Sequence, residues 1–325
     1  MKYISLSDDT VRHLSFYLAM EEYVALCYDI DEAFFLWRVE PTVIFGRNQL
    51  IDKEVNLSYC KNNNIATYRR KSGGGCVYAD KGNIMISYIT REYNVAEAYN
   101  IYLSKVVSLL KSLGVNAESS GRNDILVDGL KVSGNAFYRC NRKSVVHGTL
   151  LYDTDMKNMM NAITPATKKL RSKGVESVRS RITTLKKHLS VSIGELMKQI
   201  QSSLSDDTLF LNAYDVAQIK QIEKSYLSEE FIYGLNPRCS INKETRIEGV
   251  GEFHVQIETN KGVIKDINLI GDYFIKDELD TQLLTHLKNI PYNEDSIRIA
   301  IKNVNVGDYI LNLDNENFIK LLIHN

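Results

Sequence analysis

The chain has 325 residues, of which 44% are hydrophobic and 25% charged, and this is the composition of an ordinary globular protein. Lys and Arg number 40, as do Asp and Glu, so no global basic charge is present to attract nucleic acid or an anionic membrane. We therefore predict neither of these partners and expect any charged ligand to be bound by a local patch.

The amino-terminal segment MKYISLSDDTVRHLSF does not resemble a signal peptide. Asp8 and Asp9 stand where a signal peptide needs an apolar core, and no later apolar run reaches membrane-spanning length. The five cysteines are odd in number, widely spaced and without a CxxC pair, which indicates neither a disulfide framework nor a zinc site. We expect a cytoplasmic protein.

Strands and helices alternate irregularly in the first third of the chain. Strands are predicted for KYISLS, AFFLWRVE, TVIFGR, IATYRR, CVYAD and NIMISYIT. A helix after the first strand carries four apolar residues on one face: Val11, Leu14, Tyr17 and Leu18. The strands AFFLWRVE and TVIFGR are joined at Glu40-Pro41, where proline sets a turn. In NIMISYIT, Ile84, Ile86 and Tyr88 fall on one side.

The middle of the chain predicts a long helix, a hairpin and two further helices. The first helix runs from about Val95 to Leu113 and ends at Gly114, where a left-handed backbone suits glycine. The segment ILVDGLKVSG turns at Asp128-Gly129, and SVVHGTLLYD is a strong apolar strand. The two later helices lie around Ser192 to Leu204 and Tyr214 to Leu227. Together these segments indicate an α+β fold with a large mixed sheet.

A change of pattern near residue 240 predicts a domain boundary. Asn236 and Pro237 break the helical pattern, and the alternating segment EFHVQIETNKGVIKDINLI predicts a hairpin that turns at Asn260-Lys261-Gly262. We predict a large domain over residues 1–242 and a small α+β domain over residues 243–325, with two strands followed by helices.

The stretch RRKSGGGCVYADKGN places three consecutive glycines, Gly73 to Gly75, between basic residues and a strand. Successive backbone N–H groups without side chains can form a concavity for phosphate oxygens, and a tight turn that needs positive φ is the alternative. Neither a P-loop nor a dinucleotide fingerprint fits. Arg69 and Arg70 either bind phosphate through their guanidinium groups or are one solvated and one strand-edge arginine.

The stretch SGRNDILVDGLKVSGNAFYR places Asp124 and Lys131 on the two arms of one hairpin. A carboxylate can hold Mg²⁺ against phosphates, and a lysine can hold a carboxylate and the oxygens of a transferring phosphoryl group. Taken separately, both residues are also common surface residues. In the next strand, Gly148 implies close approach of a ligand or a backbone, and His147 is either a satisfied packing residue or at most part of a pocket lining.

Five segments, in this order, resemble the motif series of the lipoate-protein ligases: LWRVEPTVIFGRNQ, RRKSGGGCVYADKGN, RNDILVDGLKVSGNAFYR, HGTLL and SKGVESVRSRITTL. The resemblance runs from about residue 30 to residue 190, and the C-terminal domain resembles the accessory domain of two-domain bacterial members. It implies a catalytic domain of the biotin and lipoate ligase type, and it favours phosphate binding at the glycines.

The resemblance implies a two-step reaction with ATP, Mg²⁺ and lipoate. Lipoate would attack the α-phosphorus of ATP to give lipoyl-adenylate, and a carrier lysine would then take the acyl group. Matching positions make these residues ATP contacts: Arg70, Gly75, Cys76, Val77, Tyr78 and Lys131. Lys131 would also hold the lipoate carboxylate as the catalytic residue, and Asp124 would hold the metal. The lipoate slot would be lined by Trp37, Val43, Gly74, Asn83, Ala136, His147 and Gly148, with an ordinary core position as the alternative for Trp37.

Cys76 stands where the family often has alanine, and this keeps a second reaction open. Related octanoyl and lipoyl transferases use a cysteine nucleophile, so an ATP-independent acyltransferase is the alternative. Adenylation is favoured because the segment ESSGRNDILVD before the lysine motif contains no cysteine. The presence of Lys131 argues against a third hypothesis, a non-catalytic binding protein, and the RRxSGGG and KVSG motifs rank a biotin ligase below a lipoate ligase.

The implied partners are the lipoyl domains of 2-oxoacid dehydrogenase complexes or the glycine cleavage H protein, bound by a monomer. The segment from Lys173 to Thr184 resembles the family's adenylate-covering loop. The wider basic stretch from Lys168 to Lys187 either steers acidic carriers or is a solvated face.

Overall fold

A computed structural model describes residues 1–8, 10–120, 123–163, 181–233 and 241–323. Within these residues, fourteen strands form three sheets. In chain order, strands β1 to β14 are Lys2–Leu6, Glu32–Trp37, Thr42–Phe45, Ala66–Arg69, Val77–Ala79, Asn83–Thr90, Ala117–Ser119, Asp124–Val127, Leu130–Cys140, Lys143–Leu151, Asp207–Leu211, Ile241–Ile247, Gly251–Asn260 and Val263–Gly271.

The α-helices in the same residues, α1 to α10, are Leu14–Cys27, Ile51–Glu54, Leu57–Asn62, Val95–Ser112, Met156–Ala162, Ile193–Leu204, Ala213–Tyr226, Glu229–Tyr233, Glu294–Ala300 and Asn315–Ile323. Short 3₁₀ turns cover Leu185–Lys187, Leu284–Leu287 and Val306–Asp308, and a π-helical turn covers Leu279–Leu283. Among these described helices, none combines the length and the apolar character that a membrane crossing needs.

The central sheet has eight strands in the order β11-β1-β2-β6-β10-β9-β8-β7. Strand β1 runs parallel to β11 and β2, and the other neighbours pair antiparallel, so the predicted mixed sheet is confirmed. Strand β6 is buried on both faces. Its residues Ile84, Ile86 and Tyr88 pack with α4 and α6, whereas Met85 and Ile89 pack with α1 and α7 on the opposite face.

Local turn residues place several of these elements as the sequence predicts. Helix α4 begins after Asn94, whose side chain accepts from two backbone N–H groups, and it ends before Gly114 with φ +81°. The β8–β9 hairpin turns at Asp128 and Gly129, with φ of 51° and 77°. The β13–β14 hairpin turns in the same way at Lys261 and Gly262.

One prediction about the first elements is wrong, and the turn after β2 has an unexpected consequence. Val11 precedes helix α1 and is exposed, so it is not part of the apolar helix face. Strands β2 and β3 do not pair with each other across the Glu40-Pro41 turn: β2 pairs with β1 and β6, and β3 pairs with β4 and β5 in a small separate sheet. The turn therefore carries the chain from one sheet to another.

The C-terminal sheet has three strands, β12-β13-β14, where the sequence analysis predicts two. Strand β12, INKETRI, was missed because only its first and last residues are strongly apolar. The sheet packs against α9 and α10 around a separate core. It begins at Ile241, two residues before the predicted division at residues 242 and 243, which stays a prediction.

The C-terminal region contacts the loops that follow β3 and β4. The Gly74 N–H donates to Tyr273 O at 3.0 Å, and the Gly271 N–H donates to Asn48 O at 2.6 Å. Arg139 of strand β9 forms an ion pair with Asp277 at 3.2 Å. The three consecutive glycines therefore lie at the contact between the two parts of the chain.

Candidate active site

A pocket opens between strands β9 and β10, the small sheet and the glycine loop. It brings together ten of the residues that the sequence singled out: Trp37, Arg70, Gly74, Gly75, Cys76, Val77, Lys131, Ala136, His147 and Gly148. They come from five separate strands and loops, so their convergence results from the fold and not from their proximity in sequence.

Four predicted residues do not line this pocket: Asp124 lies beside it against Lys131, and the other three are buried elsewhere. Tyr78 and Val43 are buried in a hydrophobic cluster behind the small sheet. Asn83 is fully buried, and its side-chain oxygen accepts from the Asp80 N–H at 3.0 Å and from the Thr154 hydroxyl at 3.1 Å. The Asn83 carboxamide thus stabilises the turn before β6, and its assignment to lipoate binding stays a prediction.

Lys131 supplies a cation at the pocket wall. Its Nζ lies 2.8 Å from Asp124 Oδ1, and its side chain is 35% exposed. A Cβ added at Gly134 would stand 3.1 Å from Lys131 Nζ, so the glycine leaves room for the lysine side chain. The structure therefore brings Asp124 and Lys131 together as an ion pair across the hairpin.

The backbone of Lys131 binds the segment that follows residue 180. The Lys131 N–H donates to Arg181 O at 2.7 Å, and the Thr183 N–H donates to Lys131 O at 2.9 Å. These residues form the end of the predicted adenylate-covering loop. Residues 164–180, which include most of that loop and of the basic stretch, lie outside the described residues. The described end of the loop thus lies directly beside the candidate catalytic lysine.

Arg70 holds the glycine loop from inside. It is 5% exposed, and four of its five N–H groups are used within the protein. Its Nε donates to Ser72 Oγ at 2.8 Å and its Nη1 to Ile44 O at 3.2 Å, while its Nη2 donates to Gly73 O at 2.6 Å and Gly75 O at 2.8 Å. Burial lowers the pKa of Arg70 to about 10, which leaves it charged at neutral pH. Because four of its donors are already used, Arg70 would act on a ligand in the pocket mainly through its positive charge and less through hydrogen bonds.

Arg69 serves a neighbouring loop. It is 1% exposed and donates to the carbonyls of Gly46, Arg47, Gln49 and Ile232, with its guanidinium 4.6 Å from the centre of the Phe45 ring. Neither arginine is solvated, so that part of the alternative is wrong, whereas Arg69 does end β4, an edge strand of the small sheet. Both guanidinium groups bind main-chain carbonyls and fix the backbone around the pocket.

The backbone that approaches the glycines is that of the C-terminal region. A Cβ at Gly73 would lie 2.3 Å from Tyr273 O, and one at Gly74 would lie 3.1 Å from the Phe274 ring. Gly74 also has φ +83°, which favours glycine. At Gly75 the nearest atom to a Cβ would be 3.9 Å away. Gly75 is therefore the member of the triplet that leaves open space.

Behind the pocket, Glu21 of helix α1 is fully buried, and its carboxylate lies against the side chain of His147. His147 Nδ1 lies 3.0 Å from both Glu21 carboxylate oxygens, and His147 Nε2 lies 2.8 Å from Ser72 Oγ. The sequence analysis missed Glu21. The available signal was an acidic pair, Glu21-Glu22, inside the otherwise apolar helix LSFYLAMEEYVALC.

The C-terminal region also contributes to the pocket through Phe274, which the sequence analysis did not predict. Its ring stacks on Phe137, with centroids 5.9 Å apart and an interplanar angle of 20°. Other pocket residues that the prediction missed come from elements already described: Leu18, Ile44, Met85, Asn123, Gly134, Asn135 and Thr149. The result is a pocket with an apolar lining and a few convergent polar groups, as small-molecule sites have.

Comparisons with known proteins agree with this geometry. Residues 13–205 match the lipoyl protein ligase A/B catalytic domain, and residues 236–322 match the bacterial lipoate protein ligase C-terminus. Lipoate-protein ligase LplJ of Bacillus subtilis is 32% identical over 317 residues, which are 94% of this chain and 95% of the relative. Lipoate-protein ligase 1 of Staphylococcus aureus is 33% identical over 331 residues, 99% of this chain and 100% of the relative. The chain belongs to the lipoate-protein ligase family.

Solved structures share the fold of this lipoate-protein ligase family member. P. falciparum LipL1, in complex with lipoate, has a TM-score of 0.78 at 20% identity and covers 98% of this chain and 97% of its own. A lipoate-protein ligase A bound with ATP has a TM-score of 0.61 at 21% identity, over 72% of this chain and 99% of its own. An archaeal bipartite ligase from Thermoplasma acidophilum, studied with its E2 lipoyl domain, has a TM-score of 0.66 at 23% identity. The match covers 74% of this chain and 98% of the archaeal chain.

The family and fold predictions are confirmed. The motif series predicted a two-domain lipoate-protein ligase, an enzyme with a mixed-sheet catalytic domain, and both matched domains and the curated relatives bear this out. The individual roles assigned to site residues stay predictions of the resemblance.

Among the described cysteines of this lipoate-protein ligase, Cys76 is the one that lines the pocket, and its thiol is not activated. Cys76 lines the pocket, and burial, followed by the nearby charge of Glu54, raises the pKa of its thiol far above the ordinary range. Cys60 and Cys140 are buried, Cys27 is exposed, and Cys239 lies outside the described residues. Because the thiolate is the reactive form, this environment disfavours an acyl-cysteine at Cys76.

Proposed function

We propose that this protein ligates lipoate to a lysine of a carrier domain in two steps, through lipoyl-adenylate formed from ATP. The observation that carries the proposal is Lys131, a cation on the wall of a pocket whose glycine loop is held by buried Arg70, in a chain of this family. The cationic groups and the apolar lining suit a substrate with a carboxylate at one end and an apolar chain at the other.

In the first step, a lipoate carboxylate oxygen attacks the α-phosphorus of ATP, and the bond from that phosphorus to the pyrophosphate oxygen breaks. Two anions must approach each other, so positive charge must offset their repulsion. Lys131 donates from its ammonium group to the carboxylate and the α-phosphoryl oxygens, and buried Arg70 contributes its field. This requires Lys131 to exchange its contact with Asp124 for contacts with substrate.

In the second step, the carrier lysine amine attacks the acyl carbon of lipoyl-adenylate. The amide bond forms, the mixed anhydride bond breaks, AMP leaves with the electron pair, and the amine loses a proton. An acyl-adenylate hydrolyses in water, so the pocket must exclude solvent while the carrier docks. We propose a lipoyl domain of a 2-oxoacid dehydrogenase complex or a glycine cleavage H protein as the carrier, and a cytoplasmic, monomeric enzyme.

Asp124 fits a magnesium role next to the triphosphate. Mg²⁺ takes one or two protein carboxylates and completes its shell with phosphate oxygens and water, so a cluster of protein ligands is not required. The Asp124 carboxylate is partly exposed beside the pocket, and it would be freed when Lys131 turns to substrate. Bound there, the metal would neutralise phosphate charge.

We expect Asp124→Asn to raise the Mg²⁺ concentration for half-maximal pyrophosphate release by about tenfold, because a neutral amide is a weaker ligand than a carboxylate. A Mg²⁺ titration of the initial rate at saturating ATP measures this. Asp266→Asn is the matched control, since Asp266 also pairs with a lysine, Lys288, at 2.7 Å but lies in the C-terminal sheet. An unchanged Mg²⁺ requirement in Asp124→Asn would remove the metal role.

The function itself is tested with purified protein, ATP, Mg²⁺ and lipoate in the absence of carrier. We expect lipoate-dependent pyrophosphate release and accumulation of lipoyl-adenylate, followed by AMP release and carrier lipoylation when a lipoyl domain is added. No pyrophosphate release with lipoate, together with acyl transfer from an acylated carrier, would support the acyltransferase instead.

We expect Cys76→Ala to keep adenylation within about twofold of wild type, because the thiol has no chemical role in adenylation and alanine retains the backbone amide. The same assay measures this, and mass spectrometry of the protein after incubation with an acylated carrier looks for an acyl-cysteine. Loss of turnover in Cys76→Ala together with a trapped thioester in wild type would decide for the cysteine route.

A further inference from the structure

A buried hydrogen-bond network connects two walls of the pocket, and Glu21 is its centre. One arm runs from Arg70 Nε to Ser72 Oγ at 2.8 Å, then to His147 Nε2 at 2.8 Å, and from His147 Nδ1 to Glu21 at 3.0 Å. This arm ends at the guanidinium that holds the carbonyls of Gly73 and Gly75.

The second arm reaches the aromatic wall. Trp37 Nε1 donates to Ser87 Oγ at 2.9 Å, and Ser87 Oγ donates to Glu21 Oε1 at 2.5 Å. Tyr138 adds a third donor to Glu21, with its hydroxyl 3.3 Å from Oε2. Trp37 is fixed further by stacking on Tyr17, with centroids 4.8 Å apart. The orientation of the Trp37 indole in the pocket therefore depends on Glu21, because Ser87 forms hydrogen bonds with both residues.

Glu21 is the group that both arms share. Arg70 has no acceptor, so Ser72 Oγ accepts from Arg70 Nε, and the same hydroxyl contacts His147 Nε2. Glu21 accepts from the hydroxyls of Ser87 and Tyr138, and its carboxylate also lies against His147 Nδ1. A change at Glu21 therefore alters both arms at once.

We propose that Glu21 is a positioning residue that couples the lipoate slot at Trp37 to the glycine loop at Arg70. The proposal rests on the proposed ligase function, and it goes beyond it because Glu21, Ser72 and Ser87 do not line the pocket that the ligands would occupy. Coupling in this sense means that filling one end of the pocket sets the geometry of the other, as buried polar networks with complete partners can do.

The two serines allow the arms to be interrupted one at a time. Ser72→Ala removes only the link between Arg70 and His147, so we expect it mainly to raise the KM for ATP. Ser87→Ala removes only the link between Trp37 and Glu21, so we expect it mainly to raise the KM for lipoate. Glu21→Gln should raise both and lower kcat/KM on the order of 10- to 100-fold, because small displacements of positioned groups have effects of that size.

The decisive measurement is a double-mutant cycle of Ser72→Ala and Ser87→Ala in lipoate-dependent pyrophosphate release, with both KM values. If the arms are coupled through Glu21, the double variant departs from the product of the single effects, and in the Glu21→Gln background each serine change adds little. Independent effects, with fold-changes that multiply, would overturn the coupling. The comparison of the two single serine variants with their double variant does not depend on whether Glu21→Gln folds.

Asp215→Asn is the matched control for a structural role alone. Asp215 is also a buried carboxylate that accepts from two hydroxyls, those of Tyr23 at 2.7 Å and Tyr28 at 2.9 Å, and it is outside the pocket. We expect it to lower the melting temperature and leave both KM values unchanged. If the network variants behave like Asp215→Asn, Glu21 is structural only. An inactive wild type would instead refute the ligase function, so the two failures are distinguishable.

Discussion

Replacing Lys131 with alanine is expected to lower the rate of lipoyl-adenylate formation by about 100- to 1,000-fold, because it removes the positioned cation that offsets charge in the transition state. The fold should be retained, since the Lys131 side chain is partly exposed and its backbone makes the contacts to Arg181 and Thr183. Lipoate-dependent pyrophosphate release at saturating substrates measures the effect, with circular dichroism to confirm folding.

The matched control for this change is Lys288→Ala. Lys288 also pairs with an aspartate, Asp266, at 2.7 Å, and its side chain is 40% exposed compared with 35% for Lys131. The two variants therefore remove similar ion pairs in different places, and exposed pairs contribute little to stability. Near-normal adenylation in Lys131→Ala, or an equal loss in Lys288→Ala, would contradict the role of Lys131.

Lys131→Arg separates charge from shape. Arginine keeps the positive charge but is planar and larger, and the space for the Lys131 side chain is limited where a Cβ at Gly134 would be only 3.1 Å from its Nζ. We expect this variant to retain ATP binding and to lose most adenylation. Such a result would assign the rate effect to the placement of the ammonium group and not to net charge in the pocket.

Much of the fold could be predicted because its signals are local. Helix α4 has its N-terminal signal in Asn94 and its end in Gly114, and the β8–β9 hairpin is specified by Asp128 and Gly129. Strand β6 shows the alternation of a strand whose two faces meet two different cores. None of these predictions needed to know a distant partner.

The sequence analysis could not establish which strands pair, because pairing is not local. Strands β2 and β3 follow each other across Glu40-Pro41, a pattern that favours a hairpin, yet each pairs with strands tens of residues away. Strand β11 was missed altogether: it pairs in parallel with β1 at the sheet edge, far along the sequence. Hydrophobic pattern identifies a strand more readily than it identifies the strand's neighbour.

The site shows the same division between local motifs and distant contacts. Arg70, Lys131, Ala136 and His147 lie in continuous motifs, and the fold brings them into one pocket as the resemblance implies. Glu21 and Phe274 were missed because they belong to a helix before the motifs and to the C-terminal region after them. A residue that reaches the site only through long-range packing is not marked by a motif in the sequence around it.

Replacing Gly73 with alanine is expected to separate the glycine loop from the C-terminal region, because a Cβ there would stand 2.3 Å from Tyr273 O. An obstructed backbone contact cannot relax by a side-chain rotation, so we expect a loss in stability of about 1–3 kcal/mol. Chemical denaturation measures this, and hydrogen exchange reports the Gly74 N–H, which donates to Tyr273 O in the docked state.

Gly75→Ala is the internal control for that change, since the nearest atom to its Cβ would be Asp272 Cβ at 3.9 Å. We expect Gly75→Ala to keep wild-type stability and slow exchange at Gly74, and to affect only reactions that use the open side of the loop. Equal stability of the two variants would contradict the docking role of Gly73. A contrast between them would divide the triplet by function: Gly73 and Gly74 accommodate the C-terminal region, whereas Gly75 leaves the space in which a phosphate can approach the backbone.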